Sequence, residues 1–282
     1  MSANTHIPLR HIAPPPGEAG FSGDFTIRDV ADMLAGKDMV QELHRHDFYY
    51  LLALQKGAGT HAIDFTPYAI RDHVVFFMRP GQVHELTLHT DSTGYLLAFK
   101  ADISDGELLR RTAAQNAYYF DAGEFGRLLS LLADMFREYI NKPHEHLKVI
   151  KANLSIFLIN LIRQQDDSPT GTAGHYRQER FAEFSSLLET HITTHKQVSA
   201  YAAMLHLSPY QLNAITKSVA GKTCSALIDG QIVLEAQRLL LATTAQVSQV
   251  AFHLGFEDVS YFIRFFRKQT GFTPEAFREN YR

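Results

Sequence analysis

Between Phe21 and about Ile103 the apolar residues come in short runs, among them DFTIRDV, FYYLLAL, THAIDF, HVVFFM, HELTLH and GYLLAFK, parted by Gly, Pro or Asp. Short strands at that regular spacing predict an all-β barrel or sandwich. The period then changes to 3.6. Residues 124–140 (EFGRLLSLLADMFREYI) and 145–164 (EHLKVIKANLSIFLINLIRQ) place apolar side chains three and four apart, which predicts two amphipathic helices. On the second, Leu147, Ile150, Leu154, Phe157, Leu158 and Leu161 form one stripe. That stripe either packs against the barrel or makes a seam between subunits. The seam is the reading carried forward, with Leu147, Ile150, Leu154, Phe157 and Leu161 as dimerisation residues, so that glutamate at 154 and 157 is expected to give a soluble monomer.

The stretch at 164–175, QQDDSPTGTAGH, is polar and rich in small residues, a linker composition. After it every periodic segment is helical. The expected organisation is an α+β chain of two domains. Residues 1–20 are an arm without regular structure, 21–165 a β-barrel with two flanking helices, 166–175 a linker, and 176–282 an all-α domain.

The last hundred residues hold an approximate repeat. VSAYAAMLHLSPYQLNAITKSVAGKT (198–223) and VSQVAFHLGFEDVSYFIRFFRKQTGFT (247–273) share one plan: a short apolar helix, a tight turn, then a longer helix ending at Gly221 or Gly271. Ala202 precedes His206 by four residues, and Ala251 precedes Gly255 by four. Small residues let two helices approach, and Gly255 suits a left-handed helix end. Ser208 with Pro209 behind it, and Asp258, can cap the second helix of each copy. This is helix-turn-helix grammar in duplicate.

In the first copy Leu212, Ile215 and Val219 fall on the core side, so Tyr210, Asn213, Ala214 and Lys217 face outward. In the second, Phe262, Phe265 and Phe266 are core, and Ser260, Ile263, Arg264 and Arg267 face outward. Residues near the start of such a helix reach base edges, and Arg or Lys further along meet phosphates. A single copy is more often a solvated face of a helical bundle; two copies joined by the helix ALIDGQIVLEAQRLLLAT favour double-stranded DNA as partner.

Charge changes this picture little. The net charge is −3, and residues 176–282 carry eleven Lys/Arg against nine Asp/Glu, about +2, leaving about −5 for the rest. The single cysteine, Cys224, excludes an intramolecular disulfide framework. The opening MSANTHIPLRHIAPPPGEAG lacks the basic start and apolar run of a signal peptide, and no apolar run approaches the roughly 20 residues of a membrane helix. A cytoplasmic protein with no membrane partner is expected.

The segment EAQRLLLATTAQVSQVAFHLGFEDVSYFIRFFRKQTGFTPEAFR resembles the C-terminal signature of the AraC family of bacterial transcription regulators, over about residues 178–282. The resemblance implies a seven-helix DNA-binding domain whose two helix-turn-helix units enter successive major grooves. It also implies, in most such regulators, a cupin-like effector domain; with the dimer seam read above, the expected partners are a second copy of the chain, RNA polymerase and a small-molecule effector. The first unit departs from the family pattern, with Ala214 and Thr216 where Arg and Phe are common. Gln231 stands where a basic residue is frequent in the central helix.

HRHDFYYLLALQKG followed by RPGQVHEL resembles the two cupin motifs, except that Tyr50 stands where metal-binding cupins carry a glutamate. Period-2 alternation puts His44, His46 and Tyr50 on one face, and the Pro-Gly turn returns His84 toward them. Three inward histidines can hold a divalent ion. Without the carboxylate we expect no metal and no cofactor, with His44, His46 and His84 as the only metal candidates. The favoured reading is an effector site of His46, Tyr50, Arg79 and His84, Arg79 pairing with a carboxylate. A sugar and an aromatic acid both suit it. KGAGTH resembles a phosphate loop but opens no helix, so a hairpin is expected.

No nucleophile-elbow order of Ser, His and Asp is present. The expected function is a ligand-responsive transcription activator rather than an enzyme. The alternatives are a metal-dependent cupin enzyme with a DNA-binding tail, told apart by stoichiometric metal with turnover, and a ligand-independent regulator, told apart by a filled barrel.

Overall fold

In the computed structural model of the protein, residues 7–12, 24–166 and 172–281 are described. The chain divides into two units, Pro8–Ser168 and Met1–Ile7 with Pro169–Arg282.

The apolar runs of the first unit form two five-stranded sheets. One has the order β1 (Leu9–Arg10), β3 (Met39–His46), β8 (Val83–Leu88), β5 (Gly59–Ile63), β6 (Thr66–Ile70); the other runs β10 (Ala117–Tyr119), β7 (Val74–Met78), β4 (Tyr49–Lys56), β9 (Thr93–Phe99), β2 (Phe25–Asp29). The expected β-rich domain, barrel or sandwich, is present as these two sheets. Every second residue of β4 and β7 points between the sheets: Tyr50, Leu52, Leu54, Val74, Phe76 and Met78 meet Ile63, Ile70, Leu86 and Leu88 there. The intervening residues Leu51, Ala53, Val75 and Phe77 pack on the outer side against α3 (Ala122–Asn141) and α4 (His146–Asp166). Both faces of this sheet are covered, which is why VVFFM and YYLLAL are apolar without alternation. Two shorter helices, α1 (Val30–Leu34) and α2 (Gly106–Thr112), complete the unit.

Four expectations change here. Ile150, Leu154, Phe157 and Leu161 are fully buried in the unit's own core, and of the proposed dimer stripe only Leu147 is exposed. A side chain already removed from water by its own sheet has no area left for a second subunit, so those four residues are not a seam. Segment KGAGTH joins β4 to β5, which belong to different sheets, so it is a crossover rather than a hairpin. Within the arm, Leu9 and Arg10 pair in parallel with Arg45 and His46. The linker shrinks, because α4 runs to Asp166 and α5 begins at Thr172; residues 167–171 lie outside the described set.

The second unit has seven helices among its described residues: α5 (Thr172–His191), α6 (Val198–Met204), α7 (Pro209–Ala220), α8 (Cys224–Ala242), α9 (Val247–His253), α10 (Val259–Thr270) and α11 (Pro274–Asn280). α8 runs through the middle with Ile228, Ile232, Ala236 and Leu240 buried. It packs against α6 and α7 and against α9 and α10. Phe262 and Phe266 are fully buried on one side of α10 with Phe256 and Phe277 against them. Burial of each such ring contributes about 1.5–3 kcal/mol. Cys224 is buried at the start of α8, and burial raises its thiol pKa to about 11, so it is a protonated core group.

Candidate functional site

Two sites were expected, and each lies within one unit. In the first unit a cavity of about 240 Å³ opens at one end of the sandwich. Its polar wall is built by β3 and its partner β8. A bulge between Gln41 and His44 shifts the register of β3. Met39 and Gln41 therefore line the cavity together with His44 and His46, although the two pairs differ in parity. His84 lies directly opposite His44 in the ladder.

Tyr50 reaches the same cavity from the facing sheet. It and the histidines converge as expected, but across the sandwich and not along one strand. His46 stacks on the Tyr50 ring with centroids 5.3 Å apart.

The imidazoles form a buried chain. His46 Nε2 lies 2.8 Å from His84 Nε2, and His84 Nδ1 lies 2.9 Å from His61 Nε2. His44 Nδ1 donates to the Glu42 carbonyl at 2.7 Å. Burial drives the pKa of His44 down to about 4 and of His46 and His61 to about 3, and pushes His84 well below the ordinary range. All four are neutral at pH 7. His46 Nδ1 and His61 Nδ1 are buried without a hydrogen-bond partner. Sequence reasoning missed His61; its signal was the alternation of THAIDF, which puts His61 and Ile63 on one side of β5, and both are fully buried.

Arg79 is not part of this wall. Its position past the end of β7 leaves it outside the lining, and the cavity's guanidinium groups belong to Arg10 and Arg28. The rest of the lining is largely apolar, with Met33, Phe48, Leu86 and Leu96. The described part of the arm lies across the cavity. Arg45 N–H donates to the Pro8 carbonyl at 3.0 Å, Arg10 donates to Gln41 Oε1, and His11 pairs with Asp47 at 2.7 Å.

The second site is the outer face of the helical unit, where the two copies repeat the same turn bonds. Leu207 N–H reaches the Ala202 carbonyl and Phe256 N–H the Ala251 carbonyl, at 2.8 and 2.9 Å. His206 (φ 55°) and Gly255 (φ 71°) are both left-handed at matching positions. At Gly255 a Cβ would lie 2.5 Å from the Thr193 carbonyl oxygen, so the turn needs glycine for space as well as for φ. Ser208 and Gln211 close a capping box on α7, and Asp258 accepts from Ser260 N–H at 2.7 Å on α10.

Tyr210, 84% exposed, and Ala214 and Lys217 face outward on α7, as do Ser260, Arg264 and Arg267 on α10. Two residues do not. Asn213 is half-buried; its Nδ2–H donates to the Pro209 carbonyl and its Oδ1 accepts from Cys224 N–H at 3.0 Å, tying α7 to α8. Ile263 is half-buried on the flank, and on α7 Thr216, not Val219, is the buried residue. Exposed Tyr261 and Lys268 join the α10 face instead. Their phase with Arg264 (three before, four after) was readable from the sequence.

The chain matches two family models: an AraC-like ligand binding domain over residues 35–154 and a helix-turn-helix domain over residues 201–280. Among curated proteins it is similar to the HTH-type transcriptional activator RhaR of Cronobacter sakazakii, 22% identical over 245 residues, 84% of this chain and 87% of that protein. It is also similar to the regulatory protein PocR of Salmonella typhimurium, 25% identical over 218 residues, 77% of this chain and 68% of that protein. Among solved structures, unsaturated fatty acid bound ToxT from Vibrio cholerae aligns over 90% of this chain and 95% of that chain, with 16% identity and a TM-score of 0.41. None of the described helices is long and apolar enough to cross a membrane.

Proposed function

The chain belongs to the AraC family of transcription regulators, and from that premise we propose how its two units work. The first unit takes a small organic acid into the cavity, its carboxylate toward Arg10 or Arg28 and its other polar group against His46, Tyr50 and His84. Two guanidiniums favour an anion over a neutral sugar. Met33, Met39, Phe48, Leu86 and Leu96 favour an apolar body over a ring of hydroxyls. A cavity of about 240 Å³ suits a ligand smaller than drug size. That open volume also speaks against a barrel used only for dimerisation.

The second unit binds double-stranded DNA through α7 and α10, each in a major groove. The observation that carries this reading is the repeated turn with a cationic face on α10 made of Arg264, Arg267 and Lys268. On α7 the only charged side chain is Lys217, so the first copy positions more than it reads. The working form is a homodimer on two half-sites, acting in the cytoplasm through RNA polymerase, and it is an activator, in line with the name of its relative, the HTH-type transcriptional activator RhaR. The seam passes to the other side of α4. Val149, Ala152, Ile156 and Ile159 repeat at spacings of three and four, and Val149, Ala152 and Ile156 are exposed. Ligand acts by favouring one placement of the arm segment over the cavity, so removing residues 1–16 uncouples effector from DNA binding.

The test is a footprint of the full chain with and without benzoate. The expected protection covers two major grooves per protomer about 34 Å apart on one duplex face. Protection of a single groove per protomer refutes the double reader.

A further inference from the structure

The two helix-turn-helix copies share their turn geometry, yet only the second turn carries glycine. The difference lies in what covers it. At the first turn His206 is exposed, so its side chain has room despite φ 55°. At the second, the loop between α5 and α6 lies against the backbone. A Cβ on Gly255 would stand 2.5 Å from the Thr193 carbonyl oxygen and 2.6 Å from Lys196 Nζ.

That loop is tied to the first copy. Ile192 is buried, and Tyr201 of α6, fully buried against Phe184 of α5, donates its O–H to the His195 carbonyl at 2.7 Å. Lys196 reaches from the loop to the second copy. Its Nζ donates to the Gly255 carbonyl at 2.8 Å and stands 5.1 Å from the centroid of the Phe256 ring. Phe256 is buried and packs on Phe262 and Phe265 of α10. A carbonyl and an aromatic face together are a strong seat for an ammonium. We propose that Lys196 is a positioning residue for DNA recognition: it clasps the second turn to the first copy and so fixes the spacing and rotation between α7 and α10. The proposal rests on the reading of those two helices as groove readers.

Helix α8 packs against both copies, but packing of one helix on another sets their crossing angle only within about 15–20° from protein to protein. One base-pair step turns the duplex by about 34–36°. An uncertainty of half a step is enough to misplace a reader, so α8 alone leaves the second groove loosely addressed. A contact away from the α8 axis removes that freedom, and Lys196 supplies one. A lysine in such a unit more often meets a phosphate. Here the ammonium is turned inward on a half-buried side chain, and burial holds its pKa below the ordinary lysine value. The two uses are separable, because a clasp acts on spacing and a phosphate contact acts on salt dependence.

The probe is a duplex selected from a random-sequence pool by the full wild-type chain. Two further versions have one base pair added or removed between the two grooves that one protomer protects. Fluorescence anisotropy at several salt concentrations gives the affinity of wild type, K196M and K196R for each. Two linked readers gain about 10²–10⁴ in affinity when both engage and lose it when geometry forbids that. Wild type should therefore bind either altered duplex about 100-fold more weakly than the matched one. K196M should bind the matched duplex less tightly yet pay a penalty of about tenfold or less on the altered ones. K196R, which keeps a donor and a cation for the Phe256 face, should restore the wild-type penalty.

An equal penalty in wild type and K196M overturns the clasp, and two-groove protection on the same duplex then leaves the double reader standing. Uniform weakening on all three duplexes with a lowered melting temperature also overturns it, since that marks a residue that only stabilises the fold. A K196M salt slope lower by about one at an unchanged penalty makes Lys196 a phosphate contact instead. If K196M does not fold, K196Q, one bond shorter and uncharged, takes its place. A wild type that binds all three duplexes alike overturns the clasp without any variant. Protection of a single groove per protomer refutes the double reader itself, and the clasp falls with it.

Discussion

Helix α4 carries apolar residues on two faces, and the two can be separated by substitution. Leu154 and Phe157 are fully buried among Phe25, Leu51, Leu97 and Leu132. Truncation to alanine removes about 2–5 kcal/mol at a leucine and about 3–5 at a phenylalanine. The two are one turn apart and share a cavity, so their effects do not simply add. Even so, L154A/F157A should remove about 4–8 kcal/mol from a fold with about 5–15 in all. Val149 and Ile156 are 40% and 47% exposed. Glutamate there should change protomer stability by about 0.5 kcal/mol or less, while setting like charges against each other in a dimer seam. Urea unfolding and sedimentation velocity at micromolar concentration read both effects. V149E/I156E should give a monomer with the wild-type midpoint, whereas L154A/F157A should lower the midpoint severely. A folded L154A/F157A monomer of wild-type midpoint would refute the assignment of faces, as would a V149E/I156E protein that stays dimeric.

Arg264→Ala should weaken DNA binding tenfold or more and reduce the slope of log K against log salt by about one; unchanged affinity and slope by fluorescence anisotropy would remove α10 from the interface. Gly255→Ala forces a Cβ toward the Thr193 carbonyl and a side chain into φ 71°, so the second unit should lose at least about 1–2 kcal/mol and DNA affinity with it; a wild-type melting curve would contradict the turn geometry. In EDTA, the first unit should be most stable above pH 6.5, where His44, His46 and His61 are neutral folded or unfolded. As the pH falls the unfolded chain takes up protons near 6.5 while the buried rings resist until about 4 and 3. Each contributes a loss of about 1.4 kcal/mol by pH 5.5, and a flat unfolding midpoint from pH 7 to 5.5 would show that the cluster is hydrated.

Most of the fold was legible because periodicity reports burial. Phe262 and Phe266 sit three and seven residues after Val259, and nothing but a helix puts them together. The stripe on α4 was legible too, but a stripe says only that something covers it, and the covering sheet is contributed by strand residues between Phe25 and Phe99. Asn213 was misread for a related reason. A short polar side chain mid-helix looks the same whether it meets a base or holds the N–H of Cys224 eleven residues on. The cavity cations were hidden because Arg10 arrives through a two-residue parallel pairing with β3, and no local pattern announces that. Arg79 offers a guanidinium able to pair with a carboxylate, yet β7 ends one residue before it and it lies outside the cavity lining.

The distribution of polar groups inside the first unit separates stability from function. The sheet of β4, β7 and β9 is apolar on both faces and supplies the scaffold. All four buried imidazoles lie on the other sheet, on β3, β5 and β8, and three of them line the cavity beside the bulge. A fold selected for stability alone would fill those positions with leucine or valine, because each neutral imidazole there costs desolvation that hydrogen bonds only partly recover. Local choices that conflict with the global fold are expected where a ligand resolves the conflict. Here the conflict is confined to a few residues around His84, on the rigid central ladder of their sheet. An anion or an ion bound there is held by strands rather than by loops. Its effect on the arm can then pass through the backbone bonds that Arg45 and Asp47 make to Pro8 and Arg10.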